Sequence, residues 1–139
     1  MTENFIPARV HVKDDSALFK RYGEKYAAQW TPTILELDTE GVERHRIEGF
    51  LPADDFLGQL MLGRAKIDFQ EQKWDDAAKM FRKVYEELPD TEAAPEALYW
   101  MGVARYKESG EPTPLKETAR AFTTRYKDTS WAKKASIWA

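Results

Sequence analysis

The spacing of apolar residues divides the first half of the chain into short strands and helices. Residues 5–12, with Pro7 near their start, are apolar and mostly β-competent, and they predict a first strand. Apolar residues at helical spacing then predict a helix over 16–28. Two further strands, over 33–38 and 43–49, flank the turn sequence Asp38-Thr39-Glu40-Gly41 and predict a β-hairpin.

The second half of the chain has a helical period throughout. From Pro52 onward the apolar residues keep this spacing, and the isolated Gly63 is not a strong enough signal to end the helix. Pro89 ends a later helix, and a loop with Gly110, Pro112 and Pro114 separates two more. Five helices are predicted here, over 53–70, 75–88, 95–108, 114–126 and 130–138.

Several residues of the first half carry a resemblance to the C-terminal half of a thioredoxin fold. They are Tyr22-Gly23, Trp30-Thr31-Pro32-Thr33, the hairpin with Gly41, and Glu48-Gly49-Phe50 before an amphipathic helix. The resemblance implies that Pro32 is a cis proline and that Trp30, Thr31 and Pro32 form a peptide-contacting loop. The alternative is a trans proline that opens a strand, since cis is the minority state even before proline.

The resemblance covers about residues 4–62 and lacks part of the family's sheet. The family's central strand and the helix with its Cys-x-x-Cys motif belong before Phe5, where this sequence has only four residues. Three explanations stay open: the remaining strands close on each other, a second chain fills the gap, or Met1 is an internal methionine of a longer reading frame.

The later helices resemble tetratricopeptide repeats over about residues 58–138. The segment 98–107 is similar to the first helix of such a repeat, and residues 115–126 depart from the pattern of the second helix. The short final helix is compatible with the capping helix of such arrays. The positions that match the second helix of the preceding repeat are Trp74, Ala77, Phe81, Val84 and Pro89.

Together these patterns predict a mixed α+β chain with two parts. A partial thioredoxin-like α/β unit of three strands would occupy residues 1–62, and a TPR-like α-helical array would occupy 58–139. The long helix over about 53–70 would be shared and would join them.

Composition and charge narrow the classes of partner. Hydrophobic residues make up 42% of the chain and charged residues 32%, which is typical of a soluble globular protein. A formal charge of -3 gives no basic surface for nucleic acid. No apolar run approaches the roughly 18 residues of a membrane span, and the N-terminus has no signal-peptide pattern. We expect a cytoplasmic chain without nucleic-acid or membrane partners.

Candidate catalytic chemistry is sparse. The chain has no cysteine, so we expect no dithiol redox activity and no cysteine-ligated metal. His11 and His45 lie in predicted strands without metal-ligand spacing, and the pairs Asp54-Asp55 and Asp75-Asp76 fit the first turns of helices. We therefore predict no catalytic residues, no metal and no cofactor, hence no enzyme as the sequence stands, although a longer gene would reopen that question.

One helix offers a candidate peptide groove. Tyr99, Val103 and Tyr106 share a face of the helix over 95–108, and in the repeat family this face lines the concave groove. The alternative is that these residues pack against a neighbouring helix or against the first domain.

The leading functional hypothesis is a non-catalytic protein-binding adaptor with an unidentified protein or peptide partner. Two alternatives stay open. The chain is a C-terminal fragment of a thiol:disulfide oxidoreductase with redox cysteines upstream of Met1, or it is a structural oligomerisation module. Because the thioredoxin-like sheet would leave backbone groups unpaired, we also predict a homodimer.

Overall fold

A computed structural model of the protein describes residues 5–139, and the prediction about Met1 lies outside them. The fold is mixed and mostly helical, with one two-stranded antiparallel sheet among the described residues. The chain divides into two compact units, Met1–Phe50 and Leu51–Ala139. The elements are α1 (Ser16–Tyr26), β1 (Thr33–Leu37), β2 (Glu43–Glu48), α2 (Ala53–Gln70), α3 (Trp74–Glu87), α4 (Ala93–Ser109), α5 (Thr113–Thr124), α6 (Ser130–Ala135) and a 3-10 helix (Ser136–Trp138).

The first unit, here the hairpin unit, is built on β1 and β2. Ile34 lies opposite Ile47 and Glu36 opposite His45, and a register shift follows between Glu36 and Leu37. Asp38 fixes the turn, because its Oδ1 accepts from the backbone N–H groups of both Glu40 and Val42. Gly41 has a φ of 77°, a conformation that glycine adopts without steric cost. The local turn chemistry thus sets the hairpin.

Helix α1 is attached to the hairpin mainly by polar contacts at its end. The Tyr26 hydroxyl donates to the Gly41 carbonyl at 2.9 Å, and the Arg46 guanidinium donates to the carbonyl oxygens of Tyr26 and Ala27. No residue of α1 is fully buried. The hairpin unit therefore has a small core: Glu36 and Ile47 are its only buried residues among those described.

The predicted strand over residues 5–12 is wrong. The described segment has no regular structure up to His11 and then forms a turn, in which the Asp15 N–H donates to the His11 carbonyl and the His11 N–H to the Asp15 carboxylate. A strand needs a neighbour for its backbone N–H and C=O groups, and no strand in the described part of the chain pairs with this segment. The expected three-strand unit is therefore a two-stranded hairpin with one helix.

The second unit, here the helical unit, holds almost the whole hydrophobic core. Helix α3 packs against α2 and α4, and α4 also contacts α5 and α6. Phe81 of α3, Leu62 of α2 and Leu98 of α4 are the largest side chains that are almost completely buried. Ala65 and Ala97 keep the helices close enough for these side chains to interlock.

The predicted helices agree with the structure to within about two residues, apart from the last. Helix α2 runs from Ala53 to Gln70 as predicted and passes through the buried Gly63, whereas the final predicted helix is a short α-helix followed by a 3-10 turn. All of α2 lies in the helical unit, and its sharing between two domains stays a prediction. Within residues 5–139, none of the helices combines the length and apolar character that crossing a bilayer requires.

Candidate functional site

The loop Trp30-Thr31-Pro32 enters strand β1. Trp30 is 67% exposed, and its carbonyl accepts from the Thr33 hydroxyl at 2.5 Å. The Thr31–Pro32 peptide bond is cis, which is the isomer implied by the resemblance. The Pro32 carbonyl accepts from the Gly49 N–H at 2.9 Å, so the loop is fixed to the end of β2 while Trp30 remains open to solvent.

Charged side chains of the turn and of strand β2 pair with one another. Hydrogen bonds from the Val42 backbone and the Arg44 side chain hold the pKa of the Asp38 carboxyl below its usual value. The Arg46 side chain likewise lowers the pKa of Glu43 and contacts Glu48 at 3.1 Å. A lowered pKa favours the ionised form of Asp38 and Glu43, which is expected of structural ion pairs more than of acid–base catalysts.

The candidate groove residues lie in different surroundings on α4. Tyr99 is half-buried and makes ring contacts with Trp100, Trp131 and Trp138. Val103 is half-buried, whereas Tyr106 is 37% exposed. A groove lined by Tyr99, Val103 and Tyr106 stays a prediction, and only Tyr99 of the three belongs to a larger aromatic cluster.

That cluster is a continuous row of partly exposed rings in the helical unit. Tyr99 stacks on Trp138 with 4.7 Å between centroids and lies 5.3 Å from Trp131. On its other side Trp100 contacts both Tyr99 and Phe69, and Phe69 contacts Trp74 at 4.9 Å. Its members, here the aromatic row, are Phe69, Trp74, Tyr99, Trp100, Trp131 and Trp138.

Two polar features accompany the aromatic row. The Trp100 Nε1 atom is buried and has no hydrogen-bond acceptor among residues 5–139. The Lys134 ammonium lies 3.8 Å from the ring centroid of Trp131, a cation–π distance. The row therefore combines apolar area with an unused indole donor and a positive charge at one end.

Two shallow cavities in the helical unit have charged walls. One, of about 410 Å³, is lined by residues 52–55 and 87–91, with Asp54, Asp55, Glu87 and Asp90 among them. The other, of about 350 Å³, carries Arg64 and three lysines together with Asp68 and Asp76. Arg64 is paired with Asp68 at 2.6 Å. Neither cavity combines an apolar interior with a few convergent polar groups, the usual form of a small-molecule site.

Metal-ligating side chains do not cluster in the described chain. Within residues 5–139, no three histidine, cysteine or carboxylate side chains lie close enough together to share an ion. His11 contacts Asp14 at 3.0 Å, and His45 faces Glu36 across the hairpin.

Sequence reasoning selected Tyr99 but missed the aromatic row around it. Trp100 is adjacent to Tyr99 and belongs to a different helical face by spacing alone, and no local pattern links Trp131 and Trp138 to the helix over 95–108. The available signal was compositional: the chain has five tryptophans, and four of them belong to the row.

Comparisons of the chain with protein-family models, with curated proteins and with solved structures give no match.

Proposed function

We propose that the protein is a non-catalytic protein-binding adaptor whose helical unit receives an extended segment of a partner on the aromatic row. The observation that supports it is the row itself: five rings touch in succession from Trp74 to Trp138, Trp131 adds a sixth beside Tyr99, and all six keep part of their surface exposed. Tryptophan and tyrosine are the residues in which binding energy concentrates at protein interfaces.

Helix packing around the row supports this proposal. The rings come from the ends of α2 and α3, from the middle of α4 and from the C-terminal turns, so they lie across several helices of one packed unit. A tetratricopeptide-like array presents a partner-binding surface in the same way, formed by successive helices with short connections. A rigid platform lowers the entropic cost of binding a flexible segment.

The row also indicates the chemistry of the partner. Exposed aromatic rings bind apolar side chains and proline residues, which pack on their faces. We therefore propose an extended peptide with apolar side chains as the ligand class.

A displayed library of random dodecapeptides, panned on the immobilised full chain, tests the proposal. Enriched peptides are synthesised with a fluorophore and titrated by anisotropy. We expect Trp138→Ala to weaken their binding at least about tenfold, because interface tryptophans commonly contribute more than 1.4 kcal/mol when truncated.

Trp30→Ala is the matched control, since it removes the same side chain from the hairpin unit. It should leave the affinity within about a factor of two, because Trp30 is not a member of the aromatic row, to which the proposal assigns the binding energy. Far-UV circular dichroism verifies that both variants keep their helices. Failure to enrich any peptide, or a loss of binding with Trp30→Ala instead of Trp138→Ala, contradicts the proposal.

A further inference from the structure

Strand β1 has one edge paired with β2 and, among residues 5–139, no strand neighbour on its other edge. The Gly49 N–H donates to the Pro32 carbonyl, and the Asp38 N–H donates to the Val42 carbonyl, so these two residue pairs are hydrogen-bonded pairs. In an antiparallel ladder, hydrogen-bonded pairs alternate with pairs whose backbone groups point away from the partner strand. Given the register, Ile34 and Glu36 therefore direct their backbone groups toward β2, and the outer edge presents those of Thr33, Leu35 and Leu37.

The two outer edges of the hairpin differ in charge. The outer edge of β2 carries Glu43, Arg46 and Glu48, the residues opposite Leu37, Leu35 and Thr33, and all three are engaged in ion pairs. Charged residues on an edge strand oppose pairing with another chain. Strand β1 contributes only neutral residues at its outward positions, so β1 has the edge that is open to a further strand.

The hairpin unit has a physical reason to gain strands. An isolated two-stranded hairpin is marginally stable in water and needs either more strands or packing against a helix. Helix α1 supplies little such packing, because it is attached mainly by hydrogen bonds at its end and buries no residue completely. Large apolar side chains of the unit also remain in solvent: Phe50 is 92% exposed, Trp30 67% and Leu37 37%. Additional strands would satisfy outward backbone groups and enlarge the sheet that supports the small core.

We infer that β1 pairs antiparallel with β1 of a second copy, about a two-fold axis through Leu35. The outward residues Thr33, Leu35 and Leu37 are placed symmetrically about Leu35. The two-fold therefore sets each of them against an outward residue of the second copy, Thr33 against Leu37 and Leu35 against itself. Each such pair exchanges two backbone hydrogen bonds, and the result is a four-stranded sheet.

Side chains across this contact are compatible. On one face, the two Leu35 side chains meet at the axis, with Thr33 and Leu37 on each side of them. On the other face, Ile34 lies opposite Glu36 of the second copy. Like charges directly opposite each other would oppose pairing, and this contact contains none. Because the edge is complementary to itself, a second copy of the chain is the partner that fits it.

Light scattering during gel filtration of the full chain tests the inference. The variants place a positive or a negative charge at position 35, on the proposed two-fold axis. The native chain should have twice its mass of 16.1 kDa at high micromolar concentration. Leu35→Lys and Leu35→Glu each place like charges opposite one another and should run as single chains. An equimolar mixture of the two variants should regain the doubled mass, a result that misfolded variants would not give.

Glu48→Lys is the control, because it changes a charge on the other outer edge and should keep the doubled mass. Amide exchange adds an independent readout: protection at Thr33, Leu35 and Leu37 in the native chain should disappear in Leu35→Lys. The inference is overturned if the native chain has the mass of a single chain. It is equally overturned if Leu35→Lys remains a dimer, or if the mixture of variants stays monomeric.

Discussion

Gly102 shows how much a single residue decides in the helical unit. A Cβ atom at this position would lie 2.1 Å from Oγ1 and 2.9 Å from Cβ of Thr118, both far below contact distance. Thr118 is buried, and its hydroxyl donates to the Pro114 carbonyl at 2.8 Å, so the side chain has little freedom to move. The absence of a side chain at Gly102 therefore sets how closely α4 and α5 approach.

We predict that Gly102→Ala destabilises the protein. In an exposed helix interior, alanine in place of glycine would gain about 1 kcal/mol. Here the methyl group must displace α5, and overpacking of this kind costs about 1–3 kcal/mol. Urea denaturation of the full chain, followed by circular dichroism, measures the difference in the free energy of unfolding.

A double-mutant cycle supplies the control. Thr118→Ala removes the two nearest side-chain branches, so the cost of Gly102→Ala should be smaller in the Thr118→Ala background than in the native chain. Equal costs in both backgrounds, or a Gly102→Ala variant more stable than the native chain, would show that the two helices do not meet at this point as described.

At the scale of elements, helix α2 is packed against other helices on more than one of its sides. It contacts both α3 and α4, and Leu62 and Ala65 are fully buried within it. Gly58 approaches Thr91 and Ala93 closely. Buried Asp68 is paired with Arg64 one turn earlier. The helix therefore needs an unbroken backbone through its middle, where these contacts converge.

We predict that Ala65→Pro lowers the free energy of unfolding by about 3 kcal/mol or more. The substitution removes a backbone hydrogen bond, and the proline ring clashes with the preceding turn in a fully buried position. Ala53→Pro is the matched control, since Ala53 is the first residue of α2, where proline is tolerated. Thermal melts of the two variants that shift equally would mean that the middle of α2 does not behave as a continuous helix.

At the scale of the whole molecule, the core is distributed unevenly. The hydrophobic core cluster of buried residues lies entirely in the helical unit, and the hairpin unit contributes Ile47 as its only fully buried apolar side chain among the described residues. Helix α1 buries no residue completely. Local opening requires little free energy where few apolar contacts are lost.

We predict a corresponding order of amide hydrogen exchange in the full chain. Amides of α3 and α4 near Phe81 and Leu98 should exchange slowest, because they open only with the core around them. Amides of α1 should exchange fastest among the helices longer than two turns. Protection of α1 equal to that of α4 would contradict this order. Mass spectrometry after pepsin digestion provides the measurement.

The sequence by itself determined the elements whose causes are local. The hairpin was predictable because Asp38 and Gly41 form its turn from neighbouring residues, and α2 to α5 were predictable because apolar spacing and the breakers Pro89 and Gly110 set their bounds. The 5–12 segment shows the limit of this reasoning. Strand propensity does not produce a strand when no neighbour accepts its backbone hydrogen bonds.

Only the tertiary structure decided which residues form the candidate surfaces. Tyr99 and Trp138 are far apart in sequence and stack because α4 packs against the C-terminal turns, and the periodicity of one helix carries no information about that contact. The open edge of β1 likewise became visible only once the alternation of backbone hydrogen bonds with β2 was known. Contacts between distant segments depend on how whole elements pack, and packing is a property of the assembled unit.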